Sequence, residues 1–354
     1  MGLSIGFASF IVAVIIVYFC WRWPRQHELF RFILSTPDPN PATCFSNRRF
    51  RLRLQTSGAC LTSSGCSSFD ACSKSVADCC SSIFRNGIQY IDAPEGSEFY
   101  EFVKSKMRTA PPGTTISRVE MVFTGRGQDF CRRIQAESGE IARRNDRFIP
   151  KKPGNLNFHE GLKHFDENCE ETLPGICDHA KVIFAWHGTP AIYIKDICSG
   201  EIKAFGETDA GYFGVGIYTA LECAYAARYS EYNSAPPNVN GEFGVILFAC
   251  YVGPWPYVIT LDSDYDNIAK GFSRFCGPSR KSGIALQPLY DSHFVPVKFY
   301  GFNHPITGVV QDDYLDYQAC SQNDPACAGH ELILNDGSQL LPVAVLWYKK
   351  NATT

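Results

Sequence analysis

The stretch VIFAWHGTP, residues 182–190, decides how this chain is interpreted. Its uninterrupted apolar run is typical of a strand buried on both faces. The run ends in His187, Gly188 and Thr189, residue types that suit a buried strand opening onto a binding site. The alternative is that the histidine only satisfies a turn at the end of the strand.

Further apolar runs predict a sheet in the same part of the chain. They are ISRVEMVF at 116–123, KVIFAW at 181–186, FGVILFACYV at 243–252, HFVPVKFY at 293–300, ELILND at 331–336 and LLPVAVLWY at 340–348. Helical spacing is found in FYEFVKSKM at 99–107, GQDFCRRIQAESGEIARR at 127–144, part of GLKHFDENCEETL at 161–173, AIYIKDICSG at 191–200 and LECAYAARYS at 221–230. Many strands with few helices between them predict an α+β domain rather than a doubly wound one.

The composition limits the classes of protein to consider. The 354 residues are 45% hydrophobic and 19% charged, which is typical of a globular chain with a substantial core. The net charge of −3 provides no overall basic field, so no nucleic-acid partner is evident.

The N-terminal segment differs from the rest. Residues 2–21 carry no charge and are long enough to span a bilayer as a helix, and Arg22 and Arg25 follow at once. We therefore predict a single-pass membrane anchor over residues 1–25, with the remainder of the chain in the cytoplasm. The alternative is a signal segment that directs the protein to a lumen or to secretion.

Sixteen cysteines are many for a cytosolic protein. The pairs Cys169/Cys177 and Cys320/Cys327 lie in polar stretches that can be closed by disulfides, and the alternative is a set of reduced thiols. Residues 26–85 form a Cys/Ser-rich, linker-like region without a CxxC spacing, so no metal site is predicted.

Two further motifs lie in the same half of the chain as His187. GYFGVGIYTALECAYAARYS, residues 211–230, predicts a glycine-rich turn, a short strand with Tyr218 and a helix with Tyr229. Glu331 begins an apolar strand. The glycines precede a strand instead of opening a helix, which excludes a Rossmann fingerprint. Each feature taken alone also has a purely structural explanation. The glycines are compatible with tight turns, the tyrosines with positions in the core or on the surface, and Glu331 with an exposed strand start.

Taken together, His187 in an HG[ST] motif, Tyr218 in a G-x-G-[IV]-Y motif and Glu331 at a strand start resemble the catalytic domain of poly(ADP-ribose) polymerase-like ADP-ribosyltransferases. Tyr229 lies where the family has its second stacking tyrosine. The resemblance covers roughly residues 116–350 and is strong in these motifs only. It implies a catalytic domain over residues 86–354, with two packed, mostly antiparallel sheets, flanking helices and an NAD cleft.

The resemblance also implies a reaction. NAD is the substrate, its nicotinamide–ribose bond is cleaved, and ADP-ribose passes to protein acceptors that the sequence does not identify. His187, Tyr218 and Glu331 are the expected catalytic residues. The residues expected to bind NAD are His187, Gly188, Thr189, Tyr218 and Tyr229. In the family, a glutamate at the position of Glu331 permits elongation of an ADP-ribose chain without requiring it.

One departure from the family pattern affects the expected binding of NAD. Ala226 stands where the family has a serine that hydrogen-bonds the nicotinamide amide. Loss of one such bond costs about 0.5–1.5 kcal/mol. The alternative functions are therefore a catalytically weak module that binds NAD or ADP-ribose, and a secreted, disulfide-rich member of the fold.

Overall fold

The computed structural model describes the greater part of the chain after residue 87. The described residues are 88–124, 126–127, 130, 132–134, 136, 156–168, 181–200, 202, 211–231, 234–253, 255–265, 273–276, 284–298, 318–320, 324 and 327–351. The predicted anchor, the Cys/Ser-rich region and the pair Cys169/Cys177 lie outside these residues.

Ten strands and five named helices make up the described fold. The strands are β1 Ile88–Ala93, β2 Thr114–Thr124, β3 Val182–Gly188, β4 Ile217–Ala220, β5 Phe243–Tyr251, β6 Tyr257–Val258, β7 Ser292–Lys298, β8 Gln318–Ala319, β9 Cys327–Leu334 and β10 Leu340–Lys350. The helices are α1 Glu98–Ser105, α2 Leu156–Asn168, α3 Ile194–Ser199, α4 Cys223–Ser230 and α5 Leu261–Asp264, with 3-10 turns at Ala191–Tyr193 and Gly337–Gln339.

The predicted α+β class is confirmed: the described residues form a large, mostly antiparallel sheet with few helices. Each of the apolar runs forms a strand, and the two helices predicted between residues 181 and 348 are present. Of the helix predicted over residues 127–144, the described positions 127, 130, 132–134 and 136 are helical.

The prediction of two sheets is wrong, because the strands form one continuous sheet. Its order is β1-β2-β10-β5-β3-β4-β9-β7-β6, with β8 paired to β7. Every pairing is antiparallel except that of β6 with β7. The physical reason is a single residue pair between β3 and β4, Trp186 with Ala220, which joins two otherwise separate ladders.

The core lies around the middle of the sheet. The central strands β5 and β10 are buried along almost their entire length, as expected from their continuous apolar sequences. Helix α4 packs against β3 and β5 through small buried residues such as Ala226 and Ala227. The Ser230 hydroxyl fixes the end of α4 by donating a hydrogen bond of 2.6 Å to the Gly244 carbonyl. This packing places α4 directly beside the end of β3.

The described residues include no helix long and apolar enough to cross a membrane. The anchor predicted over residues 1–25 belongs to the part of the chain outside that description.

The cysteines in the described ranges are free thiols. They are Cys198, Cys223, Cys250, Cys276, Cys320 and Cys327. Cys320 and Cys327, for which a disulfide was one of two alternatives, are thiols whose side chains hydrogen-bond each other.

Candidate functional site

His187 lies at the end of β3, between β5 and β4 in the sheet. Its Nδ1 is 2.8 Å from the backbone carbonyl oxygen of Tyr218. Because a carbonyl can only accept, Nδ1 carries the proton and Nε2 is left with acceptor character. Burial lowers the pKa of His187, and the bond to the Tyr218 carbonyl opposes this shift only in part. The imidazole is therefore neutral, and the contact fixes its tautomer and its orientation towards β4.

Gly188 follows His187 and lies against the backbone of α4. A Cβ built on this glycine would be 1.7 Å from the Ala226 carbonyl oxygen and 3.0 Å from the Tyr229 Cβ. No other residue fits there without moving backbone, so the glycine is required by the packing of β3 on α4. Thr189, the next residue, is buried.

Tyr218 lies on β4, and its phenol is held by the preceding glycine-rich turn. The hydroxyl donates to the Gly214 carbonyl at 2.7 Å and accepts from the Phe213 amide at 3.0 Å. Gly214 has φ +111°, a conformation that favours glycine. The glycine-rich segment therefore has a local role: it folds the chain back onto the tyrosine and fixes a partly exposed ring.

Tyr229 lies in the last turn of α4 and is partly buried. Its ring centroid is 6.2 Å from that of Tyr225, with the two rings inclined at 61° in an edge-to-face contact. The two tyrosines are four residues apart and so share one face of the helix. This face is turned towards the end of β3, where Gly188 contacts Tyr229.

Glu331 lies within β9 and not at the predicted strand start, because the strand already begins at Cys327. It lies between β4 and β7, with Ala220 and Val295 as its neighbours in register. The side chain is buried, with 4% of its surface exposed. Its Oε1 accepts a hydrogen bond of 2.6 Å from the hydroxyl of Tyr225. A bond of this length between a hydroxyl and a carboxylate is strong and charge-assisted.

The structure brings all the predicted site residues onto neighbouring elements. His187, Gly188 and Thr189 lie at the end of β3, while Tyr218 and Glu331 lie on the two strands that follow it in the sheet. Helix α4 covers this region and carries Tyr229. Direct contacts join His187 to Tyr218 and Gly188 to Tyr229.

Tyr225 was missed by sequence reasoning, which treated it as an aromatic residue of the core or the surface. It is 1% exposed and links the two parts of the site, since its ring meets Tyr229 and its hydroxyl meets Glu331. A signal was present: Tyr225 and Tyr229 have helical spacing on one face. The contact with Glu331 has no local signal in the sequence.

A second group of residues, which the sequence patterns did not identify, fixes the part of β9 next to Glu331. The buried carboxylate of Glu222 accepts from the His330 amide at 2.7 Å and lies 2.8 Å from the His330 Nδ1. The Arg108 guanidinium is 3.6 Å from the same carboxylate. Because His330 immediately precedes Glu331, these contacts fix the backbone that carries the predicted catalytic carboxylate.

The charges of this group are coupled. Burial opposes ionisation of Glu222, but the hydrogen bonds and charge of His330, together with Arg108, outweigh it and lower the pKa of Glu222. Burial likewise opposes the charge of His330, but Glu222 outweighs it and raises the pKa of His330. The ring of His330 also stacks on Phe294, with centroids 5.7 Å apart. Each ionised partner thus favours the charge of the other.

Ala226, the departure from the family pattern, lies within the site. It is 2% exposed, and its carbonyl is the group that Gly188 meets. Within the described ranges, no cluster of three or more histidine, cysteine, aspartate or glutamate residues has the geometry to hold a metal ion.

A scan of the chain against protein-family models found no match, and a search among curated proteins found none either.

Proposed function

We propose that the protein is an NAD-dependent ADP-ribosyltransferase that modifies proteins. The observation that supports this proposal best is the convergence of His187, Tyr218, Tyr229 and Glu331 on adjacent elements. These residues are widely separated in the sequence, and each has the side chain that the resemblance requires.

The reaction requires a group that stabilises the positive charge developing on the nicotinamide ribose. In the proposed step the bond between the ribose carbon and the nicotinamide nitrogen breaks, and nicotinamide leaves as a neutral ring with the electron pair. The ribose passes through an oxocarbenium-like transition state, as in glycoside hydrolysis. The carboxylate of Glu331 stabilises this charge and accepts a hydrogen bond from a hydroxyl of the ribose. The acceptor then forms the new bond to the ribose carbon and loses its proton to solvent.

The other residues orient NAD. Tyr218 and Tyr229 present aromatic rings that suit stacking against nicotinamide. The neutral imidazole of His187 has Nε2 as an acceptor for a hydroxyl of the adenosine ribose, with Thr189 beside it. Such positioning is a principal source of rate enhancement when the substrate is already charged and needs little proton transfer.

A module that binds NAD or ADP-ribose without turnover is the second candidate, and Ala226 is the residue that favours it. An alanine there cannot donate the hydrogen bond that the family's serine gives to the nicotinamide amide. We expect weaker NAD binding from this change. The two candidates differ in turnover, because the transferase cleaves NAD and the binding module does not.

The test is nicotinamide release from NAD by the purified full-length protein in detergent. The transferase predicts measurable release by the wild type and a fall in kcat of about a hundredfold or more in Glu331→Gln, because a buried stabilising charge is lost. Glu101→Gln is the matched control, since it removes a carboxylate whose side chain is 55% exposed on α1. Equal release by the wild type and Glu331→Gln would remove Glu331 from the mechanism. Binding of ADP-ribose in calorimetry without release by any variant would favour the binding module.

We also propose that residues 1–25 anchor the protein in a membrane and that the catalytic domain faces the cytoplasm. The uncharged segment followed by Arg22 and Arg25 supports this orientation. Protease treatment of intact membrane vesicles tests it: a cytoplasmic domain is digested from outside, whereas a lumenal one is protected until detergent is added.

A further inference from the structure

Cys320 and Cys327 are two thiols held beside the same strand, β7. The Cys320 amide donates to the Pro296 carbonyl at 2.8 Å. Cys327, the first residue of β9, is the register neighbour of Lys298. The side chains of the two cysteines hydrogen-bond each other, so their sulfur atoms are already in contact while both remain thiols.

The segments on either side of this pair are anchored as well. The Cys327 amide donates to the Asp324 carbonyl at 2.8 Å, and the carboxylate of Asp324 pairs with Lys298 Nζ at 2.8 Å. Next to Cys320, the Ala319 amide donates to the hydroxyl of Tyr265 at 2.8 Å. The contact between the two sulfurs is therefore supported by the backbone of β7 and by a turn tied to that strand.

The two sulfurs differ in access and in charge. Cys327 is partly exposed, whereas Cys320 is 6% exposed. The hydrogen bond from Cys320 outweighs burial and, with the charge of His330, lowers the pKa of Cys327. The same hydrogen bond raises the pKa of Cys320. Because the thiolate is the nucleophile, Cys327 is the sulfur that reacts first and Cys320 is the protonated thiol beside it.

We propose that Cys327 and Cys320 form an oxidation-sensitive dithiol, which hydrogen peroxide converts into a disulfide. An accessible thiolate next to a second thiol is the usual arrangement of a redox-sensing cysteine. The two alternatives left open by the sequence, a disulfide and reduced thiols, are then two states of one site. A cytoplasmic orientation suits this site, since disulfides in that compartment are usually transient or redox-sensing.

The oxidation takes two steps. The thiolate of Cys327 attacks one oxygen of hydrogen peroxide, the O–O bond breaks, and hydroxide leaves and takes up a proton to become water. The sulfur is thereby oxidised to a sulfenic acid. The sulfur of Cys320 then attacks the sulfenic sulfur, so that the S–S bond forms and the S–O bond breaks. The proton of Cys320 leaves with the departing hydroxide as a second water. Two thiols and one peroxide thus give one disulfide and two waters.

The test treats the purified full-length protein in detergent, freed of reductant, with a small excess of hydrogen peroxide near neutral pH. Iodoacetamide then blocks the remaining thiols. Cleavage before aspartate separates the two cysteines into the peptides 316–323 and 324–335, so a disulfide between them appears as a linked pair in mass spectrometry. Cys276→Ala is the matched control, because it removes another partly exposed thiol.

We expect the linked pair in the wild type and in Cys276→Ala, and its loss after addition of dithiothreitol. In Cys320→Ala the sulfenic acid of Cys327 has no neighbouring thiol, so it should react with dimedone and should go on to the sulfinic acid with more peroxide. Consumption of the Cys327 thiol should also become about fivefold slower in this variant, because the hydrogen-bond donor is lost. In Cys327→Ala, Cys320 should stay reduced.

A wild type in which Cys327 becomes a sulfinic acid without any linked pair would overturn the inference. So would a wild type in which both thiols survive a peroxide concentration that oxidises Cys276. Oxidation of Cys320 in a folded Cys327→Ala as fast as in the wild type would show that Cys327 is not the attacking thiol. The wild-type result decides the matter even if the variants do not fold. None of these measurements involves NAD, so the inference stands or fails independently of the proposed function.

Discussion

Gly188 and the carbonyl of Ala226 are in direct backbone contact, so close that a Cβ on the glycine would stand 1.7 Å from the carbonyl oxygen. This contact joins the strand that carries His187 to the helix that carries Tyr225 and Tyr229. The packing of β3 on α4 therefore requires the glycine of the HGT motif, independently of any ligand. The same contact determines how far the two tyrosines stand from the histidine.

Substitution of Gly188 by alanine should therefore destabilise the protein. The added methyl group meets backbone, which cannot rotate away, and overpacking of this kind costs about 1–3 kcal/mol. Thermal unfolding of Gly188→Ala should show a lower midpoint than the wild type. An unchanged midpoint would mean that β3 and α4 do not make this contact in solution.

Substitution of Ala226 by serine should strengthen NAD binding. The hydroxyl restores the donor that the family places at this position, and one such bond corresponds to about a tenfold change in affinity at most. Isothermal calorimetry of NAD binding checks this expectation. Ala227→Ser is the control, since it adds the same hydroxyl to the neighbouring buried residue. If Ala226→Ser binds NAD no more tightly than Ala227→Ser does, the amide of nicotinamide does not lie beside residue 226.

The pair of Glu222 and His330 should make stability depend on pH. The lowered pKa of Glu222 contributes stability above its ordinary value of 4.5, and this contribution is lost as the pH falls through the lowered value. The raised pKa of His330 contributes stability below its ordinary value of 6.5, and this contribution is lost as the pH rises through the raised value. Both contributions are complete between pH 4.5 and 6.5.

The loss of stability in Glu222→Gln should therefore be greatest in that interval. At higher pH the loss of stability should be smaller but not zero, because the hydrogen bond from the His330 amide to residue 222 does not depend on the charge of His330. Denaturant unfolding of the wild type and Glu222→Gln over a pH series measures the difference. Arg108, His164 and Cys327 also lie beside this pair and shift the pH values at which the two contributions are lost. The test is therefore the presence of a maximum in the stability difference and not its exact position. The exposed pair of Glu101 and Lys104 gives the control: Glu101→Gln should show no such maximum. A difference independent of pH would contradict the coupling.

Cys327 should be the most reactive described thiol. The hydrogen bond from Cys320 outweighs the effect of burial and lowers the pKa of Cys327, whereas burial raises the pKa of Cys223 and Cys250. Cys223 and Cys250 are also fully buried. Because the thiolate is the reacting form, iodoacetamide near neutral pH should alkylate Cys327 first.

Mass spectrometry of peptides after timed alkylation measures these rates. Cys320→Ala is the informative variant, because it removes the donor whose hydrogen bond lowers the pKa of Cys327, so alkylation of Cys327 should become slower while that of Cys276 stays constant. Alkylation of Cys223 as fast as Cys327 in the folded protein would contradict the assignment.

Local sequence patterns were sufficient to predict β2, β3, β4, β5, β7, β9 and β10, whereas β1 and the two-residue strands β6 and β8 were not predicted. The apolar run at 182–186 forms β3, and the alanine-rich segment at 223–230 forms α4, because period and burial are properties of neighbouring residues. His187, Tyr218 and Glu331 were identified from their motifs in order along the chain.

Contacts between distant residues were not predictable in this way. The bond from Tyr225 to Glu331 spans 106 positions and the contact of Glu222 with His330 spans 108, and neither leaves a periodic pattern. The number of sheets was predicted wrongly for the same reason. Whether one sheet or two form depends on the single pair of Trp186 and Ala220, which no local pattern specifies.

That pair has a mechanical consequence for the site. His187 belongs to the ladder on one side of the seam between β3 and β4, while Tyr218 and Glu331 belong to the ladder on the other. A rotation of one ladder against the other disrupts this residue pair and the bond from His187 to the Tyr218 carbonyl instead of a full row of backbone hydrogen bonds. The separation of the His187 imidazole and the Glu331 carboxylate therefore depends on the few contacts that cross this seam.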